Sequence, residues 1–202
     1  MNYLAIDTSG KNLTVLVCKD NKITAFHDDE CGVNHSVELM PRIEELAEST
    51  GLDFSELDFI ACVVGAGSFT GIRIGVATVK ALCFAYSKPC LSITSFDTLA
   101  YNENDGKILA LIDAKHNGFY ACGYQEGKVI LQPSYLMREQ VLELQDEYTF
   151  VAIGAIEGMS VKCVSVVQGL QLAIQAKLDQ INADVESLVP LYVRKSQAEE
   201  GR

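Results

Sequence analysis

Basic residues are scarce in this chain. Sixteen Lys and Arg stand against 27 Asp and Glu, for a formal net charge of −11. A nucleic-acid backbone is held mainly through clustered Lys and Arg, and no such cluster occurs. Direct nucleic-acid binding by this chain alone is therefore disfavoured, although an acidic subunit can sit beside a basic partner that holds the nucleic acid. Histidine is rarer still. His27, His35 and His116 are the only three, and none lies three or four residues from another. That leaves a zinc site without a local ligand pair. No GxSxG elbow is present, so the commonest acyl-transfer arrangement is missing. No CxxC pair occurs among the seven cysteines, Cys18, Cys31, Cys62, Cys83, Cys90, Cys122 and Cys163. Their odd number, and their place in apolar segments such as FIACVVG, point to reduced thiols and not to a disulfide or metal set. No stretch is expected to reach the roughly 18 apolar residues of a membrane span. The opening MNYLAIDTSG reads as a first strand and not as a signal peptide, so the expected location is the cytoplasm.

What is present fits an ordinary folded globule: 49% apolar and 21% charged residues over 202 positions, enough for one large core or two small ones. Short apolar runs at 3–8, 13–18 and 22–28, separated by SGKN and KDN, predict an antiparallel meander. Val37, Leu39, Met40, Ile43, Leu46 and Ala47 then form a helical stripe, with Pro41 in its first turns and Gly51 closing it. Residues 58–64, DFIACVV, read as a strand buried on both faces. A helix follows to residue 86, then a short strand at 90–93 and a helical piece from Ser95. The polar stretch YNENDGK at 101–107 reads as a linker. Beyond it the theme returns: ILALIDAK, FYACGY and KVILQP, a helix near 137–144, the strand FVAIG and a helix near 168–178. A duplication at half-chain scale suggests two similar α/β domains, residues 1–101 and 102–202.

The segment with the strongest local character is VVGAGSFTGIRIGVA, residues 63–77. A buried strand ends in Gly65, Gly67 and Gly71, and Ser68 or Thr70 can cap the following helix. Bare amides at such a helix start attract an anion. Glycines equally permit a tight turn and close backbone packing, and a protein-contact surface is a third use. The Lys of a Walker loop is absent and the GxGxxG spacing is not met. Arg73 could reach an anion or pair with an acid. Asp7, at the end of the first strand, could hold Mg²⁺ through water or accept turn amides. Asp113 is its counterpart in the second half.

GAGSFTGIRIG at 65–75 closely resembles the GPGSFTGLRIG-type signature of the TsaB family, also called YeaZ, with Ala66 in place of the usual proline. IDTS at 6–9 and HSVELMPRIEEL at 35–46 resemble the family's opening turn and first helix. LIDAKHNGFYACGY at 111–124 is similar to its DARxxEVY segment, with Lys115, Gly118 and Phe119 departing from it. PLYVRKSQAE at 190–199 resembles its ending, so the resemblance spans residues 2 to 199. It implies two ribonuclease-H-like domains of the actin and sugar-kinase superfamily, each a mixed sheet flanked by helices. It also implies a non-catalytic subunit acting with a TsaD-like catalytic subunit and a TsaE-like ATPase. Together they place threonylcarbamoyl on N6 of adenosine 37 in tRNAs that read ANN codons. Further implications are tRNA contact only through the complex, a homodimer when alone, no tightly bound cofactor, no metal, and ATP with Mg²⁺ entering at the level of the complex. TsaD carries a metal-binding histidine pair on its first helix; here His35 and Leu39 stand in that region, leaving at most one ligand. In the family the first-domain helices meet the partner, and the residues expected at that interface are Leu39, Ile43, Val76, Val79, Lys80 and Cys83. The alternative reading is an active ATP-dependent small-molecule kinase or carbamoyltransferase of the same superfamily. It would use Asp7, the 65–71 turn and Asp113 around Mg–ATP as a nucleotide site that in a TsaB-like chain is vestigial.

Overall fold

Two-residue turns with both central residues at positive φ match the twist of flanking strands, and one of them, Asp20–Asn21, opens the fold. In the computed structural model, which describes residues 1–194, that turn joins β2 (Leu13–Lys19) to β3 (Lys22–Asp28) with Lys19 opposite Lys22. β1 (Tyr3–Asp7) runs antiparallel to β2, with Tyr3 opposite Cys18 and Asp7 opposite Thr14. Helix α1 (His35–Thr50) ends on Gly51, whose φ of 64° lets its amide reach back to Glu48 O, the usual left-handed helix stop. The chain then enters β4 (Phe59–Val63), parallel to β1. Helix α2 (Phe69–Tyr86) follows, then β5 (Cys90–Ile93), parallel to β4. The sheet order is β3-β2-β1-β4-β5. β1 and β4 are buried along their whole length, as central strands covered on both faces must be. Leu4, Ile6, Val15, Val17, Ile60 and Cys62 meet Leu39, Ile43, Leu46, Ile72, Val76, Val79 and Cys83 from the two helices in one apolar cluster.

The second unit repeats the topology. β6 (Lys107–Asp113), β7 (Gly118–Gln125) and β8 (Lys128–Met137) form the meander, with a Glu126–Gly127 turn at positive φ. α4 (Arg138–Leu142) leads to β9 (Thr149–Ala152), and β10 (Val161–Cys163) precedes α5 (Val166–Ala176). The order is β10-β9-β6-β7-β8, with β9 parallel to both β6 and β10. Each unit is thus a five-stranded mixed sheet with helices, the ribonuclease-H-like arrangement that the resemblance implies. The second copy is the leaner one. Its crossover helix has 5 residues where α1 has 16, and no helix joins β9 to β10 where α2 joins β4 to β5.

The chain divides into Met1–Thr94 with Ile174–Leu191, and Ser95–Ala173 with residues 192–194. This division falls ahead of the linker at 101–107, because α3 (Ser95–Ala100) packs on β6, β7 and β9. Residues 174–191 return to the first unit: Leu188 is fully buried in its core, and Leu191 N donates to Val64 O at 2.7 Å. Residues 195–199 of the PLYVRKSQAE segment lie outside the described residues.

Among the described residues, α2 alone has the length and composition to cross a membrane, with 18 residues at a mean hydropathy of 1.3. Its Gly71, Ile72, Gly75, Val76, Val79 and Cys83 are buried within the first unit. The apolar character thus serves a sheet-packed face, with further apolar residues left outside.

Candidate functional site

The glycine-rich turn sits where β4 ends and α2 begins, beside the turn from β1 to β2. Gly65 and Gly67 take φ of 114° and 151°, which side chains on an L-residue disfavour, and the Gly65–Ala66 peptide is cis. The glycines also mark close approaches. A Cβ on Gly65 would stand 2.6 Å from Leu191 O, and one on Gly75 would stand 2.5 Å from Thr8 Oγ1. A Cβ on Gly67 would meet the Ser9 carbonyl oxygen, and one on Gly71 the Thr8 carbonyl oxygen. Hydrogen bonds lock the same surfaces together. Ser68 N donates to Ser9 O at 2.7 Å, and Thr8 Oγ1 donates to Gly71 O at 2.7 Å. Ser68 is the N-cap, its Oγ accepting from Gly71 N at 3.3 Å. Thr70 lies inside the helix and is exposed. Arg73 is exposed too, its guanidinium 5.8 Å from the centre of the Phe69 ring.

Two backbone carbonyls therefore occupy the space that side chains on Gly67 and Gly71 would need. The helix start directs its Ser68 and Gly71 amides to protein oxygens. Of the open uses of this segment, close backbone packing is the one the geometry displays.

Asp7 is buried, and its Oδ1 accepts from Ser9 N at 2.8 Å and Ser9 Oγ at 2.7 Å. Burial pushes its carboxyl pKa up. The Ser9 bonds, and then His27 and His35, act in the opposite sense. Asp113 makes the same local turn in the second unit, accepting from Lys115 N at 2.8 Å and from Lys115 Nζ at 3.0 Å. Both carboxylates thus serve the turn-capping role. His35, the first residue of α1, is buried with Nε2 2.9 Å from Asn12 O. Facing a carbonyl, that nitrogen must carry the proton. No group of three or more His, Cys, Asp or Glu is placed to hold a metal ion among the described residues.

All seven cysteines are free thiols, and only Cys163 is exposed. Burial, reinforced by Cys90, pushes the Cys83 thiol up to about 12, and burial raises Cys62 well above its ordinary value. Neither is a reactive thiolate.

The expected interface residues are corrected by the packing. Leu39, Ile43, Val76, Val79 and Cys83 are all in the core, each 6% exposed or less. Withdrawing a buried Leu, Ile or Val from its core costs about 1.5–3 kcal/mol, so this chain does not offer them to a partner. Lys80 pairs with Glu186 at 2.9 Å. The helical phase explains the outcome. Positions 35, 39, 43 and 46 of α1 and 72, 76, 79 and 83 of α2 face the sheet. The outward phase carries Val37 and Met40 on α1, and Ala77, Ala81 and Phe84 on α2. Val37 is 69% exposed and Phe84 88%. The signal was legible as apolar residues out of phase with the richer stripe.

Comparison with known proteins places the chain. The family model described as TsaD, tRNA N6-adenosine threonylcarbamoyltransferase, matches residues 15–151. The TsaB protein of Bacillus subtilis, described as a tRNA threonylcarbamoyladenosine biosynthesis protein, is 28% identical over 98% of this chain and 96% of its own length. Escherichia coli TsaB is 27% identical over 76% of this chain and 72% of its own length. The solved structure of YeaZ from Pseudomonas aeruginosa superposes with a TM-score of 0.76 at 25% identity, covering 95% of this chain and 99% of that one. The chain belongs to the TsaD-type threonylcarbamoyltransferase family and, within it, to the TsaB (YeaZ) proteins.

Proposed function

We propose that this chain is a non-catalytic subunit in the biosynthesis of threonylcarbamoyladenosine in tRNA. In this reading it supports a TsaD-like subunit, with a TsaE-like ATPase, in transferring threonylcarbamoyl to N6 of adenosine 37 of ANN-decoding tRNAs. It works in the cytoplasm and reaches tRNA only through the complex. It needs no tightly bound cofactor, since ATP and Mg²⁺ enter with its partners. The observation that carries this reading is the closed glycine-rich turn in a chain otherwise matched end to end by a TsaB protein. Ser9 O and Thr8 O crowd the turn, which leaves a poor seat for a nucleotide phosphate. An apolar outward face on α1 and α2 accompanies it. Exposed apolar residues on these helices suit contact surfaces, and the large ones are Val37 and Met40 near the start of α1 and Phe84 near the end of α2. When the partner is absent the same face could pair with a second copy.

The test is size-exclusion chromatography with light scattering on the chain alone and mixed with the TsaD-like protein of the same organism, with and without ATP. A new species holding one or two copies of each chain is expected. Phe84→Glu should abolish it without changing the melting temperature, because that side chain is already in solvent. A wild-type chain that elutes unchanged from the mixture, yet binds ATP at mid-micromolar concentration, would replace this reading with the kinase-like one.

A further inference from the structure

The turn that joins β1 to β2 holds both outward helices of the first unit at once. On one side, Ser9 O accepts from the α2 N-cap amide, and Thr8 Oγ1 donates into the first turn of α2. Gly67, Gly71 and Gly75 bring that helix against the same two residues. On the other side, Lys11 O accepts from Gly32 N at 2.8 Å, and Asn12 O accepts from His35 Nε2 at 2.9 Å. These bonds fix the approach to α1 and its first residue. Five consecutive residues, 8–12, therefore set where both helices begin. Their own conformation is pinned from within by Asp7, whose Oδ1 takes both the amide and the hydroxyl of Ser9.

We propose that Asp7 is a positioning residue: by holding the 8–12 turn it sets the relative placement of α1 and α2, and with it the spacing of the outward face on which a protein partner docks. The docking half rests on the function proposed above; the coupling of the turn to the two helices does not. A carboxylate at this strand end thus acts on a protein interface through two helix starts, without touching the partner. The residues of that face move only if the helices move, because the inward phase of each helix is fixed in the core.

The test uses the full chain with Asp7→Ala and Asp7→Asn. Asn keeps an acceptor oxygen in the same place, whereas Ala removes the oxygen that takes both Ser9 bonds. Hydrogen exchange by mass spectrometry and calorimetric titration with the TsaD-like protein are both read well below the melting temperature. For Asp7→Ala we expect faster exchange in two separate segments, 31–38 and 66–74, with β4 unchanged, and an affinity lower by about tenfold. Asp7→Asn should restore most of both. Wild-type affinity for Asp7→Ala overturns the proposal, and so does faster exchange in only one segment. Uniformly faster exchange would make Asp7 a residue of global stability and overturn it too. If Asp7→Ala does not fold, Ser9→Ala removes a single bond of the same pin and carries the same two readouts. If the wild-type chain binds no TsaD-like protein, the docking half falls with the reading it rests on, while the exchange pattern still decides whether the turn couples the helices.

Discussion

Gly71→Ala decides between two uses of the glycine-rich turn by the sign of its effect. Gly71 lies in the first turn of α2 and is buried. In a helix, alanine is better than glycine by about 0.8–1.0 kcal/mol. If the position were open, awaiting an anion, the substitution would stabilise the isolated chain by that amount. Instead the added methyl would meet the Thr8 carbonyl oxygen. That oxygen cannot retreat easily. β1 pairs with β2 on one side and β4 on the other, and Thr8 Oγ1 is bonded to Gly71 O at 2.7 Å. Forcing a methyl into such packing costs about 1–3 kcal/mol, occasionally more, which cancels or exceeds the helical gain. For a domain pair of this size each kcal/mol moves the melting temperature by about 2–4 °C. The net loss of about 0–2 kcal/mol corresponds to a fall of up to about 9 °C, read by calorimetry on the ligand-free chain. Gly154→Ala is the control. Nothing lies within 4 Å of its Cβ position, so it should be neutral, or stabilise by about 0.4–1 kcal/mol through the unfolded chain. A Gly71→Ala variant that melts above the wild type, by the increment of about 0.8–1.0 kcal/mol that an open helical position would give, would refute the packing account.

Two further outcomes follow from the buried groups. Ellman's reagent should modify one cysteine rapidly in the native chain, Cys163, and all seven after unfolding, since the other six are buried; two or more fast thiols would contradict the packing around at least one of the buried cysteines. The second outcome concerns Asp7. Burial raises its folded-state pKa above the ordinary 3.8, so the folded chain holds this proton more tightly than the unfolded one. The stabilisation is complete below the unfolded value and is lost as pH rises through the raised folded value. Asp7→Asn lacks this dependence. The stability of wild type relative to Asp7→Asn, from urea unfolding, should therefore fall as pH rises from about 4. A difference that grows with pH would mean that the Ser9 hydrogen bonds outweigh burial.

The meanders and the half-chain duplication were legible because alternation and turn chemistry are local. Asp-Asn and Glu-Gly occupy two-residue turns whose positive φ is written in the residue types. The sequence was silent on β10, three residues of which two are exposed, too short for a period-2 pattern to register. It also misplaced the domain edge. α3 follows directly on the first sheet in the chain, and only its packing on β6, β7 and β9 assigns it to the second unit. The interface residues failed for a different reason. α2 carries apolar residues all round, so composition alone does not say which phase meets the sheet. Gly71 and Gly75, four apart on one side, do mark it, because glycine sits where a backbone or a strand lies closest. Read that way, Ile72, Val76, Val79 and Cys83 fall inward and Ala77, Ala81 and Phe84 outward.

A glycine run before a helix is ambiguous in sequence because the same missing Cβ admits a phosphate oxygen or a carbonyl oxygen. The two differ in what the amides do. An anion site leaves the first amides of the helix unpaired and convergent. Here the N-cap amide goes to Ser9 O, the Gly71 amide to Ser68 Oγ, and the Ile72 amide to Ser68 O. The Ser9 carbonyl oxygen meets the N-cap amide that a phosphate would otherwise engage. The N-cap amide and the third amide of the helix are thus answered within the chain. Asp7 stands behind that arrangement and orients Ser9, whose carbonyl does the answering. An Asp at the end of the first strand and glycines sixty residues later form one packed unit, whose two halves should respond together when either is changed.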